Sequence, residues 1–258
     1  MAPKDVKAKG PIWLFPGPLL VLGAGACADA NMTRLWWLPG LLVLAGLGLG
    51  AASAGRLLSP LAGFVVFTAA AALGLVFGFG LGGVGLYRLF QGDPAATRTL
   101  ATAAGPLVIG LAVLASFLST PGSSRNDVTT DLADPPVFLS GPAAGRSYPE
   151  DFRAWHQATY PGLAPIRLAA PAAATFARAR SLAERQGWTI TAENPERGLI
   201  QALSRTALFR FEDDVLIRIR PSGDESIVDM RSRSRVGRGD RGVNAKRIRD
   251  FLQALTTP

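Results

Sequence analysis

The chain has 258 residues, a net charge of +8 and only 18% charged side chains, too few for an ordinary soluble protein of this length. Its charges are segregated: seven of the 27 Lys/Arg and three of the 19 acids precede Thr120. One cysteine, Cys27, and one histidine, His156, exclude an internal disulfide and a Cys/His zinc site, and every nucleophile–histidine pair would depend on His156. The division that follows is an apolar membrane anchor over 1–120 and a water-soluble domain over 121–258.

Ile12–Ala28 is apolar but short, and Pro16, Pro18, Gly23 and Gly25 make a poor helix. It reads as a fourth span, an interfacial segment or a signal core that is later cleaved. Trp36–Ala54, Leu61–Leu86 and Leu100–Leu118 are each close to the ~20 residues that cross a bilayer. Trp36, Trp37 and Tyr87 stand at segment ends, where amphipathic aromatics prefer the interface. With three spans and a cytoplasmic N-terminus, Lys4, Lys7, Lys9, Arg34, Arg88 and Arg98 lie inside and only Arg56 outside. This favours three spans over four. It also places the anchor in a cytoplasmic membrane, with the C-terminal domain on the extracytoplasmic side. Gly78–Gly83 spells a dinucleotide fingerprint, but inside a span and after no strand. Gly74, Gly78 and Gly82 instead make a small-residue stripe for close helix packing, against this chain or another membrane protein.

The soluble half is irregular to about 165, with its compact core over 166–258. His156, beside Trp155 in a Pro-rich stretch, reads as a surface or packing residue. A short strand at Ile166–Ala169 leads into a helix opened by Pro171, with Phe176, Ala179, Leu182 and Ala183 on one face and Gly187 as its stop. Strands follow at Trp188–Ala192, Leu199–Leu208, Val215–Arg220 and Ser226–Arg235, then a helix with Asn244 as N-cap and Ile248, Phe251, Leu252 and Leu255 on its apolar side. The order βαββββα gives an α+β domain, an antiparallel sheet with helices on one face.

The period of two sorts the strand residues. Val215, Ile217, Ile219, Val228 and Met230 point to the core, while Arg218, Arg220, Arg231, Arg233 and Arg235 line the opposite, open face. Arg238, Gly239, Asn244 and Arg247 crowd the glycine-rich approach to the last helix, where partial positive charge already gathers. Together these nine residues are the candidate anion- or partner-binding set. Asp213, Asp214 and Asp240 read as structural ion pairs, and adjacent Asp213 and Asp214 face opposite sides of their strand. No catalytic residue, metal or cofactor is assigned. Gly237–Gly242 fits a nucleotide fingerprint, but no βαβ unit surrounds it. Nucleic acid is not expected, since no aromatic is interleaved among the arginines to stack on bases.

The leading expectation is therefore an accessory module engaging membrane lipid, through an anionic headgroup, or an acidic partner. The alternative is an envelope enzyme using Asp213, Asp214 or Asp240 with arginine as stabiliser. A pocket joining these acids to Arg231 or Arg233 would favour the enzyme, and a flat Arg face would favour binding.

The ordered set Asn126–Asp131, Asp134–Phe138, Gly187-Trp188, Thr206–Asp214 and Val228–Gly237, with Asp240 and Gly242–Asn244, resembles the bacterial domain-of-unknown-function family numbered 1499, in its membrane-anchored form. The resemblance covers about Asn126 to Leu255 and implies an anchored or exported domain without an established activity. Gln201 departs from it, a glutamate being expected there.

Overall fold

A computed structural model describes residues 44–46, 48, 58–119 and 125–257. Ile12–Ala28, Trp36, Trp37 and the N-terminal lysines lie outside these residues, as does most of Trp36–Ala54. The described positions of that last segment, 44–46 and 48, are helical. Gly46 sits so close to the next helix that a Cβ on it would lie 2.2 Å from the Ala70 Cβ.

Two helices are long and apolar enough to cross a membrane: α1 (Pro60–Phe90) and α2 (Ala96–Ser119). Ser59 caps α1 by accepting from the Ala62 amide at 3.2 Å. A five-residue turn reverses the chain, with Asp93 accepting from the Ala95 amide and pairing with Arg88. The antiparallel packing is small against large. A Cβ at Gly78 would meet Leu107 at 2.5 Å, one at Gly85 would meet Leu100 at 2.7 Å, and one at Gly110 would meet Leu75 at 2.5 Å. The small residues thus let α1 and α2 approach each other. Of the expected stripe, Gly74 and Gly78 are buried and Gly78 faces α2, while a Cβ at Gly82 would meet nothing within 4 Å among the described residues. Outward side chains such as Val76, Phe79, Val108 and Leu118 are exposed, as lipid-facing residues would be.

The C-terminal part is an antiparallel sheet with helices. Its elements are β1 (Asp127–Thr129), α3 (Arg153–Thr159), β2 (Ile166–Leu168), α4 (Ala172–Arg185), β3 (Thr189–Asn194), β4 (Leu199–Arg205), β5 (Glu212–Ser222), β6 (Glu225–Ser234) and α5 (Val243–Thr256). The strand order is β1-β6-β5-β4-β3, and β2 shares the outer edge of β6 with β1. Strand β1 falls in the stretch read as irregular; its three residues pair with Arg231–Arg233 of β6.

Alternation along β4, β5 and β6 sends Ile200, Val215, Ile217, Ile219, Val228 and Met230 toward α4 and α5, all of them buried. Ala179, Leu182 and Ala183 of α4 and Ile248, Phe251, Leu252 and Leu255 of α5 close this core. Trp188 stacks on Phe251 at 5.0 Å between ring centroids. Burying each large side chain contributes roughly 1.5–3 kcal/mol, which fixes the register of the sheet. The tight β3–β4 turn requires Gly198, whose φ is 64° and whose added Cβ would lie 2.0 Å from the Ile219 carbonyl oxygen.

Asn244 is not the N-cap of α5. Gly242 holds that position, and the Asp240 carboxylate accepts from the Gly242 and Asn244 amides at 2.9 and 2.8 Å. Asn244 turns inward instead, fully buried, and its side chain joins Ser232, Ser234 and the Asn126 carbonyl.

Candidate functional site

The face of the sheet away from α4 and α5 carries the arginines, but it is not open. Residues 130–148 cross it as a strap, with Phe138 and Ala143 packed on Leu216. Gln201, buried in β4, clamps that strap: its side-chain oxygen accepts from the Leu139 and Ser140 amides at 2.7 and 3.0 Å, and its amide donates to the Ser140 carbonyl at 2.9 Å.

Arg231 lies fully buried beneath the strap. Its Nε and Nη2 form a fork on Asp127, at 2.9 and 2.8 Å. Nη1 donates to the Pro136 and Arg146 carbonyls, and Nη2 also to Ser147. The guanidinium also lies over the rings of Phe138 and Tyr148, with centroids 4.9 and 5.4 Å away. Such a residue is a structural tie, not a ligand contact.

Most other cations of the expected face are similarly engaged. Arg218 donates to Asp229, Asp134 and Asp131 at 2.9, 2.8 and 3.1 Å, and Arg220 shares Asp229 and Asp131. Burial pushes the Asp229 carboxyl above its ordinary value, with Arg218 and Arg220 pulling against it. Arg235 holds Asp214 by a bidentate fork at 3.0 and 2.7 Å and Glu212 at 2.7 Å. Asp213 points to the other side of β5 and meets Arg247 at 2.5 Å. Asp213 and Asp214 are thus ion-paired, as expected, with Arg247 and Arg235. Asp240 is a backbone cap. Arg238 and Gly239 are exposed on the β6–α5 loop and lie apart from this cluster.

Arg233 is different. Its closest carboxylate is Asp127 at 3.9 Å, already held by Arg231, and its side chain keeps 23% of its exposure. It opens into a cleft of about 70 Å³ formed by Pro142, Ala143, Arg146, Asp214, Ser234 and Arg235. That is room for one oxoanion group, about two waters' share of liquid volume. The exposed Arg146 side chain borders the same cleft, while its carbonyl is fixed by Arg231. A broader hollow of about 370 Å³ lies by Trp188 and α5, but its cations Lys246 and Arg247 are neutralised by Asp250 and Asp213.

Sequence reasoning pointed to Arg233 and Arg235 and missed Arg146, Asp127 and the strap. Arg146 stands between Gly145 and Ser147, with no periodic signal to mark it. His156, expected at the surface or in packing, is a packing residue. It is fully buried in a cage of Tyr148, Trp155 and Tyr160, and among the described residues neither ring nitrogen makes a hydrogen bond of good geometry. Among the described residues, no group of three His, Cys, Asp or Glu side chains is placed to hold a metal ion.

A family model described as "Protein of unknown function (DUF1499)" matches residues 127–255, from the first residue of β1 to the last turn of α5. No curated protein matches the chain.

Proposed function

Since the chain belongs to the DUF1499 family, whose function is unknown, we propose from its own geometry that it is a membrane-anchored accessory module whose extracytoplasmic domain binds an anionic group in the Arg146–Arg233 cleft. One observation carries this reading: of the arginines that alternate along β5 and β6, Arg233 alone has no carboxylate within 3.5 Å, and it faces the cleft that Arg146 borders. Two guanidinium groups around a space for one oxoanion suit the phosphate of a lipid headgroup or the carboxylate of an acidic partner.

Arg88 and Arg98 flank the α1–α2 turn, at the end of the helices remote from the domain. This supports a cytoplasmic turn and an outward-facing domain, in an inner membrane. The envelope-enzyme reading draws support from Asp214, which lines the same cleft. Both Asp214 oxygens are held by Arg235, however, and Asp213 and Asp240 lie elsewhere, so binding has the stronger support.

The test is a titration of the full chain, in uncharged detergent, with inorganic phosphate and separately with acetate. The melting temperature is expected to rise with phosphate and to fall back as salt screens the pair. Arg146→Ser and Arg233→Ser should each abolish the rise. An unchanged rise in both variants overturns the reading.

A further inference from the structure

We propose that the β4–β5 turn is a second membrane attachment, an aromatic wedge that seats the soluble domain in the lipid interface beside the spans. This rests on reading α1 and α2 as spans and is independent of the anion cleft.

The turn reads Thr206-Ala-Leu-Phe-Arg-Phe211, with apolar residues where polar turn chemistry is usual. It is nonetheless tightly built. The Thr206 amide donates to the Phe211 carbonyl at 3.0 Å, the Phe211 amide to the Thr206 hydroxyl at 2.9 Å, and the Arg210 amide to the Thr206 carbonyl at 3.1 Å. Arg210 takes a left-handed backbone, φ 57°, to close it. The fold therefore holds Leu208 and Phe209 at the tip of a fixed loop.

That tip lies against the anchor. The Phe209 ring meets Phe64 and Phe67 edge-on, each at 5.4 Å, while Phe211 meets Phe64 at 5.9 Å and Phe64 meets Phe117 at 6.0 Å. Phe67 is seven residues past Pro60, which at 1.5 Å per residue is about 10 Å along α1. Phe209 thus sits beside the second turn of a candidate span, not above its end. Leu208, next to Phe209, is 43% exposed, and Leu61 and Val65 on α1 and Leu114 and Leu118 on α2 are exposed apolar side chains as well. An exposed apolar tip docked on the flank of a candidate span commits the wedge to lipid.

The other helix end is held by charge. Arg241 lies over the Phe117 ring at 4.5 Å and donates to the carbonyls of Ser116 and Phe117. These belong to the last turn of α2, where the macrodipole is negative. Arg241, φ 56°, and Arg210 are the non-glycine residues with positive φ among those described, and both serve this junction.

Spin labels on single cysteines, in the Cys27→Ser full chain embedded in lipid nanodiscs, test the wedge by collision with oxygen and a water-soluble nickel chelate. Leu208→Cys should favour oxygen over nickel several-fold relative to Asp224→Cys, which sits at the opposite end of β5. It should lie shallower than Val76→Cys on the outward face of α1. A label at 208 as water-accessible as that at 224 overturns the proposal, and so does one shielded from both reagents, which would mean a protein partner. A water-like value at 76 overturns the span reading on which the wedge rests. The phosphate titration of the cleft is unaffected by any of these results.

Discussion

Arg231 has all five of its N–H donors taken within the protein, two by Asp127 and the rest by three strap carbonyls. Removing it strands a buried carboxylate and three acceptors. Arg231→Met should therefore cost roughly 3–5 kcal/mol in denaturant unfolding of the soluble domain. Adding Asp127→Leu should restore only part of this, because the carbonyls remain orphaned; full recovery in the double variant would refute the tie. Alternation in the sequence does show that Arg231 points away from the aliphatic core. It cannot show that an acid more than a hundred residues earlier in the chain meets it there. His156 gives a prediction with a definite sign. Burial lowers its pKa, with the Thr129 backbone and the Asp127 charge opposing only in part. The unfolded state then binds the proton more readily, so stability is full above the ordinary value of about 6.5 and falls as pH drops through it. Unfolding midpoints measured between pH 7.5 and 5 should decline in the wild type and flatten in His156→Phe.

At the level of elements, what shows in the sequence is what repeats. The apolar faces of α4 and α5 and the alternation in β4–β6 are periodic, and these elements stand within a few residues of where periodicity puts them. The strap is aperiodic, and what holds it is tertiary: Phe138 on Leu216, and the Gln201 clamp on Leu139 and Ser140. That is why the arginine face reads as open from sequence and is covered in the structure. Gln201 is the point where the two layers can be uncoupled. Gln201→Ala should leave two amides and a carbonyl without partners, costing about 1–3 kcal/mol, and should speed hydrogen exchange at Leu139 and Ser140. Gln201→Glu keeps the acceptor for both amides and sets its second oxygen, with a buried charge, against the Ser140 carbonyl, so it should destabilise the fold while those two amides stay protected. Rapid exchange in the glutamate variant would mean that packing, not the clamp, positions the strap.

For the molecule as a whole, the segregation of charge seen in the sequence becomes a segregation of place. Apolar helices carry arginine at the turn remote from the domain, and the domain itself meets the opposite helix ends through Phe209, Phe211 and Arg241. If positive charge is retained on the cytoplasmic side, Arg88 and Arg98 fix the turn inside and the domain must lie outside. Cysteine substitution reads this directly in the Cys27→Ser background. A thiol at Ser222 should react with a membrane-impermeant maleimide on intact cells, and one at Gln91 only after permeabilisation. Replacing Arg88 and Arg98 by glutamine weakens the bias and should yield a mixed population, with Ser222→Cys partly protected. Should Gln91→Cys react first on intact cells, the domain would face the cytoplasm. The cleft of Arg146 and Arg233 would then lie in the compartment bounded by the anionic leaflet, whose headgroups would be the phosphates to test against it.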